Sequence, residues 1–558
     1  MSTSSEVLGK RSTSAWQKFW SEPGFGAATM ITVASLILFI LVPAFMVIVK
    51  SIGWGSGEIT LDNYRVFFKT TYYFKALLNS LLAAVTTTSI VIPTSIIFAL
   101  YVTRSRSVIS KFYRSLAQLP LVAPPFIFSL ALIILLGRRG IISSFIVGIV
   151  GGEFSIYGIK GVIVAQILGY LPIAFMLVES SLRTISGNVE HASRDLGASQ
   201  TKTIFKITLP LAYTGIIKAT LLVFVMAIAD FGNPMIIGGG KPFLASSTYL
   251  LVVGQQNLDM AAVLGVFLII PSLVVFLLQT FFLKDKGYSS IDGASGGENL
   301  SLSKPIKAFV FVVSSVMVIA IVSLFVVIFF AAFVKVMGVN NTFTLEHFAT
   351  HTGWSAVYNS VKISFFAALL ATVISVVQGY LLERKEVPAK KLIEFTSLFG
   401  LAIPGTVMGI GYVLTFNGPP FYLTGTILLL VLNMAYRKIG VGMQAIISKL
   451  QQIDRNMEEA SSDLGASPYR TFFRVTLPLL IPAAIVGFVY TFMTSMVSVS
   501  SIIFLLSPRT RVASAYILNL AEHAMIGRAA AMAVVLIVIA VICQRLLYYA
   551  EERTHMGA

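Results

Sequence analysis

Few side chains in this sequence could do chemistry, and those few stand in apolar surroundings. Asp230 follows an Ala-Ile-Ala run and comes just before Asn233 and the helix breaker Pro234. An ionisable group inside a long apolar stretch marks a route for ions or polar solutes by default. At a displacement of 268 residues, the spacing between Asn188 and Asn456, the counterpart of Asp230 is Ser498, within a cluster that includes Ser495, Ser500 and Ser501. These residues either line a pathway, or Asp230 sits at an outer interface and the serines serve close helix packing. Arg437 and Lys438 interrupt another apolar run after Asn433. They either attract an anion or an anion-wrapped metal, or extend to the nearer interface. The pathway candidates are therefore Asp230, Asn233, Ser495, Ser498, Ser500 and Arg437.

Other chemistries find little support. Gly240 and Lys241 are followed by Pro242 and lack the upstream glycine of a phosphate-binding loop, so the chain is expected not to hydrolyse ATP. His347 and His351 have metal-like i,i+4 spacing but stand in a loop, and they read as a chance pair; His191, His523 and His555 are scattered. Cys543 is the single cysteine, which rules out a disulfide or a cysteine metal site within the chain. Glu179 and Arg183 read as an interfacial i,i+4 pair. No catalytic constellation is present, and no metal ligand set is defined.

What must position these residues is a segment that occurs twice. Residues 188–211 and 456–479 agree at 15 of 24 aligned positions, too many for chance, and they divide the chain into two related halves. The first copy carries Glu190, His191, Ala192, Asp195, Gly197, Ala198 and Phe205; the second carries Glu458, Glu459, Ala460, Asp463, Gly465, Ala466 and Phe473. Each copy reads as two short helices joined at a glycine. Gly197 and Gly465 stand where a helix ends in a left-handed residue. Ser199 and Ser467 then cap the next helix, Ser467 with Pro468 at its first position.

The rest of the chain surrounds these polar knobs with membrane spans. Of 558 residues 56% are hydrophobic and 12% charged, and the mean hydropathy is +0.86, which excludes a soluble multidomain protein. Spans are expected at about 27–49, 77–102, 113–136, 158–181, 211–238 and 261–282, then 306–336, 357–382, 392–416, 423–447, 480–506 and 529–548. The first reads as a retained anchor rather than a cleaved signal. This divides the chain into an N-terminal segment (1–26), a first module (27–283), a linker (284–305), a second module (306–550) and a tail (551–558). Thr60-Leu61-Asp62 against Thr344-Leu345-Glu346, Asn79-Ser80 against Asn359-Ser360, and Pro124 against Pro404 extend the doubling.

The net charge of +17 comes from short basic clusters between spans, not from one basic face. A positive-inside bias explains it better than nucleic acid does. Arg104, Arg106, Lys111 and Arg114 fall on the same side as Lys284 and Lys286, and as Arg384, Lys385, Lys390 and Lys391. With an even number of spans, both termini and both knobs are expected in the cytoplasm. Arg138, Arg139, Arg509 and Arg511 are exceptions in outer loops.

The second knob, with Glu459, Ala460, Gly465, Phe473 and the Leu477-Pro478 pair, resembles the EAA motif of ABC importer permeases. The first departs from it, with His191 where the second has Glu459. The resemblance covers essentially the whole chain and implies an all-α polytopic membrane protein of about 12 transmembrane helices, built as two homologous six-helix permease modules of type I. It further implies two copies of a separate ATPase docked on the knobs, with ATP and Mg bound there and no cofactor in this chain, and an extracytoplasmic substrate-binding protein. The setting it implies is a bacterial inner membrane. The fused plan is most similar to ferric-iron importer permeases; relatives with the same plan carry thiamine, aminoethylphosphonate or sugar phosphates. A secondary transporter built on repeats would also be apolar and doubled, but the paired docking loops argue against it.

Overall fold

The computed structural model describes residues 23–53, 59–105, 107–138, 140–151, 154–279 and 301–556. Most of the expected N-terminal segment and linker lies outside the described residues. The chain is helical, apart from a two-stranded hairpin, Val334–Val336 with Asn340–Phe343. The first half contributes α1 (Gly24–Ser51), α2 (Thr71–Arg104), α3 (Ile127–Leu136), α4 (Ile159–Arg183), α5 (Tyr213–Ile228) and α6 (Leu258–Leu277). The second contributes α7 (Lys304–Phe333), α8 (His351–Arg384), α9 (Gly405–Phe416), α10 (Ile427–Gln452), α11 (Leu477–Val497) and α12 (Ile526–Arg545).

Long apolar runs fold as helices because, in hydrocarbon, only a helix satisfies its backbone groups within one segment. Several expected spans are nevertheless interrupted. The third, expected over 113–136, breaks after Ala117 at Pro120, Pro124 and Pro125, and its apolar helix starts only at Ile127. The ninth is bent by 111° between Lys390–Ala402 and Gly405–Phe416, with Pro404 at the break. The fifth stops at Ile228, and a separate turn, Gly232–Ile237, follows Asp230. The eleventh stops at Val497, before Ser498. The seventh ends at Phe333, and its last expected residues form the first hairpin strand.

The first helix of each half is exchanged. α1 packs on its own α6 and also on α8, α9 and α10 of the other half; α7 packs on its own α12 and on α2 and α3. Polar contacts fasten both exchanges. Tyr412 Oη donates to the Phe39 carbonyl at 2.9 Å, and the hydroxyls of Tyr113 and Ser315 lie 2.9 Å apart.

The doubled Asn-Ser pair explains itself in the fold. Ser80 accepts a bond from Leu244 N at 2.9 Å, and Ser360 accepts one from Ala513 N at 2.8 Å. Leu244 and Ala513 each open a short helix that follows the fifth span of its half, Leu244–Tyr249 or Ala513–Glu522. Asn79 donates to Pro242 O at 2.8 Å, and Asn359 to Arg511 O at 3.0 Å. A short helix that starts beside a span exposes free N–H groups, which the serines satisfy, while the asparagines hold a carbonyl of the segment leading into it.

Candidate functional site

Each knob consists of the two short helices the sequence implies: Gly187–Asp195 with Gln200–Thr203, and Asn456–Asp463 with Pro468–Thr471. Gly197 and Gly465 have φ of +84° and +81°, the left-handed region in which a side chain is strained. The turn closes identically in both. Gly197 N bonds Arg194 O and Ala198 N bonds Ser193 O, while Gly465 N bonds Ser462 O and Ala466 N bonds Ser461 O. Ser199 Oγ accepts from Lys202 N and Ser467 Oγ from Arg470 N, as caps. A hydroxyl pair braces the two helices, Ser193 with Thr203 at 3.0 Å and Ser461 with Thr471 at 2.9 Å. The result is a stiff corner.

The acidic residues of the knobs divide into two roles. Glu190 points inward. Its carboxylate takes bonds from Arg104 Nη2 at 2.9 Å and Thr208 Oγ1 at 2.9 Å, and both ends of the ion pair are almost fully buried. Glu458 does the same with Arg384 Nε at 3.2 Å and Thr476 Oγ1 at 3.0 Å. Arg104 and Arg384 are the last residues of α2 and α8, so each knob is bolted to the C-terminal end of a long apolar helix. On the outward side stand His191, Ala192, Asp195, Gly197 and Phe205, and Glu459, Ala460, Asp463, Gly465 and Phe473, all exposed; Ala198 and Ala466 are half-buried. Leu196 and Leu464 are 89% and 90% exposed, unusual for leucines on a polar corner.

The sequence reading missed these bolts because Arg104 and Arg384 look like ordinary loop-flanking charges. It also missed a crossed attachment. Gln200, on the first knob, donates to Ser301 O at 2.9 Å and accepts from Ser303 N at 2.6 Å, just before α7. Phe25, at the start of α1, stacks on Tyr469 of the second knob at 5.2 Å and lies under Lys385 Nζ at 4.3 Å. Each exchanged helix is thus tied to the knob of the other half.

Deeper in the bundle, Asp230 belongs to a closed polar network. Its carboxylate accepts from Gln166 Nε2 at 3.0 Å and from Asn233 Nδ2 at 2.8 Å. Gln166 Oε1 accepts from Thr87 at 2.8 Å, and Asn233 Oδ1 from Ser129 at 2.7 Å. The structure brings Asp230 and Asn233 together; Gln166, Thr87 and Ser129 are new. Gln166 was visible as a lone amide in an apolar span, and α2, α3 and α4 bring it to Asp230. Of the serines, Ser495 is buried with its hydroxyl unpartnered, and Ser498 gives its carbonyl to Ser514 Oγ at 2.9 Å. Ser500 packs against Gly405, where a Cβ would meet its hydroxyl.

Arg437 donates to the Ile403 carbonyl at 3.4 Å, at the break before α9, and Lys438 is 8% exposed. Glu179 binds Arg114 as well as Arg183, each at 2.8 Å. His347 Nε2 lies 2.9 Å from Val334 O, and among the described residues no three His, Cys, Asp or Glu side chains group as metal ligands.

This arrangement, two matched corners on a doubled helical bundle that crosses a membrane, defines a transport permease. The chain matches the family model "Binding-protein-dependent transport system inner membrane component" over residues 67–286 and again over 375–556, and it belongs to that family. It is 31% identical over 526 residues to the ferric transport system permease protein FbpB of Actinobacillus pleuropneumoniae, covering 92% of this chain and 77% of that protein. The putative ferric transport system permease protein FbpB 1 of Haemophilus influenzae is 31% identical over 503 residues, covering 88% and 80%. The putative 2-aminoethylphosphonate permease PhnV of Salmonella paratyphi A matches 35% of this chain and 76% of that protein at 30% identity.

Proposed function

We propose that this permease carries ferric iron inward, received from an extracytoplasmic binding protein and driven by two copies of a separate ATPase docked on the knobs. In this reading ATP and Mg are bound by the partner, and the knobs and both termini face the cytoplasm of a bacterial cell. The observation that carries the docking is the division of each knob: Glu190 and Glu458 bolt it to α2 and α8, leaving Leu196, Leu464, His191 and Glu459 turned outward for a partner. A rigid corner fixed at its root passes a rotation of the partner into the bundle. Iron as cargo rests on the two ferric permeases that align with most of the chain. The test is uptake of radiolabelled ferric iron, under iron limitation, by cells lacking this chain and by cells restored with it. Restored uptake that disappears in a Gly197→Val, Gly465→Val double variant supports the whole reading; normal uptake by that variant removes the coupling role of the knobs. An organic anion is the second reading, favoured by Arg437 and Lys438 and tested with labelled aminoethylphosphonate in the same cells.

A further inference from the structure

The second half holds two charges, Arg437 and Lys438, that no ion pair among the described residues neutralises. α10 begins at Ile427, so at about 1.5 Å per residue Arg437 stands about 15 Å along it, close to the middle of a hydrocarbon layer about 30 Å thick. Among the described residues neither Arg437 nor Lys438 takes part in an ion pair. Arg437 Nε is buried and unpartnered, and one helical turn earlier on the same face Asn433 is fully buried with both its amide N and O unpartnered. Thr406 Oγ1 on α9 and Ser495 Oγ on α11 are likewise buried without partners. Buried polar groups are normally satisfied. An unpartnered amide N–H group one helical turn from a guanidinium without an ion pair is what a bound anion would satisfy.

Along α11 and its counterpart α5 most side chains are neither exposed nor buried. α7 differs, with Val312, Val316, Ile319 and Phe329 each more than half exposed, as on a lipid face. Intermediate exposure along a whole helix suits the lining of a narrow cleft. Tyr490 of α11 stands within electrostatic reach of Arg437, which is itself partly exposed.

We propose that Asn433, Arg437 and Lys438 form an oxyanion subsite at the membrane midplane of the second half, so that the cargo crosses as a metal with its oxyanion and not as a bare cation. The cargo clause rests on the ferric-iron reading; the subsite does not. A bare trivalent ion would be repelled by two unpaired cations, whereas a complex with excess negative charge is attracted, and hard cations readily keep oxygen donors. The guanidinium, planar and five-donor, presents two N–H groups to one oxyanion.

The test uses the full-length permease in lipid nanodiscs, with inorganic phosphate, carbonate and citrate titrated separately. Wild type is expected to bind at least one of the three saturably. Arg437→Gln and Asn433→Leu weaken that binding about 10-fold or more, and Arg437→Lys restores most of it. Asn433→Leu removes an unsatisfied amide, so folding is not expected to suffer, and monodispersity on size exclusion verifies this for each variant. Binding of none of the three by wild type, or unchanged binding by Arg437→Gln and Asn433→Leu, overturns the subsite. Reconstitution with the ATPase and binding protein separates the two readings. No ferric iron uptake by wild type, with Arg437-dependent anion binding intact, retires iron and keeps the subsite. Iron uptake and anion binding both unaffected by Arg437→Gln retire the subsite and keep iron.

Discussion

The two halves agree closely at the knobs and hardly at all in the middle of the membrane. At the knobs the same glycine φ, serine cap, hydroxyl brace and inward glutamate recur residue for residue. In the membrane, the first half carries a satisfied acidic network around Asp230, while its counterparts in the second half are Met434 for Gln166 and Ser498 for Asp230. The second half carries Arg437 and Lys438 instead, where the first has Gly169 and Tyr170. On the docking proposed above, a surface shaped to a repeated partner is constrained twice in the same way. A path through which one asymmetric cargo passes is not, so duplicated helices can differ there without loss.

The largest expected effect separates the two bolts. Glu190→Ala leaves Arg104 buried without its carboxylate, and a loss of about 3–5 kcal/mol is expected, read as a fall in thermal stability of the detergent-solubilised chain. Glu458→Ala costs less, because Arg384 keeps two backbone carbonyl bonds, to Leu450 and Ile453, each at 2.8 Å. Equal losses in the two variants would show that these carbonyl bonds do not matter.

Within the membrane the contrast is of a different kind. Gln166→Leu leaves Asp230 and Thr87 each short of a partner and is expected to cost about 1–3 kcal/mol, whereas Met434→Leu, a swap of similar volume at the matching position, costs less than about 1.5 kcal/mol. The same melting experiment reads both. A harmless Gln166→Leu would mean that the acidic network does not hold the first half together.

At the knob turns the halves should respond alike. Gly197→Ala and Gly465→Ala place a Cβ where no atom lies within 4 Å, so only the left-handed backbone is penalised, by about 1–2 kcal/mol in each. Chemical denaturation that gives clearly unequal values would break the equivalence of the knobs. Leu196→Glu and Leu464→Glu, at fully solvated positions, are expected to move stability by less than about 0.5 kcal/mol and, on the proposed docking, to weaken copurification of the ATPase. Retained copurification in both would shift the docking surface elsewhere on the knob.

Much of this was legible in the chain. The repeat at residues 188–211 and 456–479, the glycine turn and the serine caps are local, and local chemistry writes them directly: a residue that must adopt positive φ is a glycine, and a free helix N-terminus takes a serine. The spans were legible as long apolar runs. Their breaks were less so. Pro404 breaks a span, whereas Pro93 and Pro172 lie within continuous helices, and proline alone does not decide which. Glu190 and Glu458 looked like docking residues because they sit in the docking motif; the arginines that turn them inward are more than 70 residues upstream.

By itself, then, the sequence determined the membrane setting, the doubling, and the two stiff corners with their exposed faces, since hydropathy, internal identity and turn chemistry act over a few residues. Only the tertiary structure decided that the first helices are exchanged and strapped to the opposite knobs by Gln200 and Phe25, that Asp230 is satisfied, and that the Asn433 amide and Arg437 Nε are not. Whether a buried polar group finds a partner depends on which helices stand beside it, and that is settled by packing across hundreds of residues.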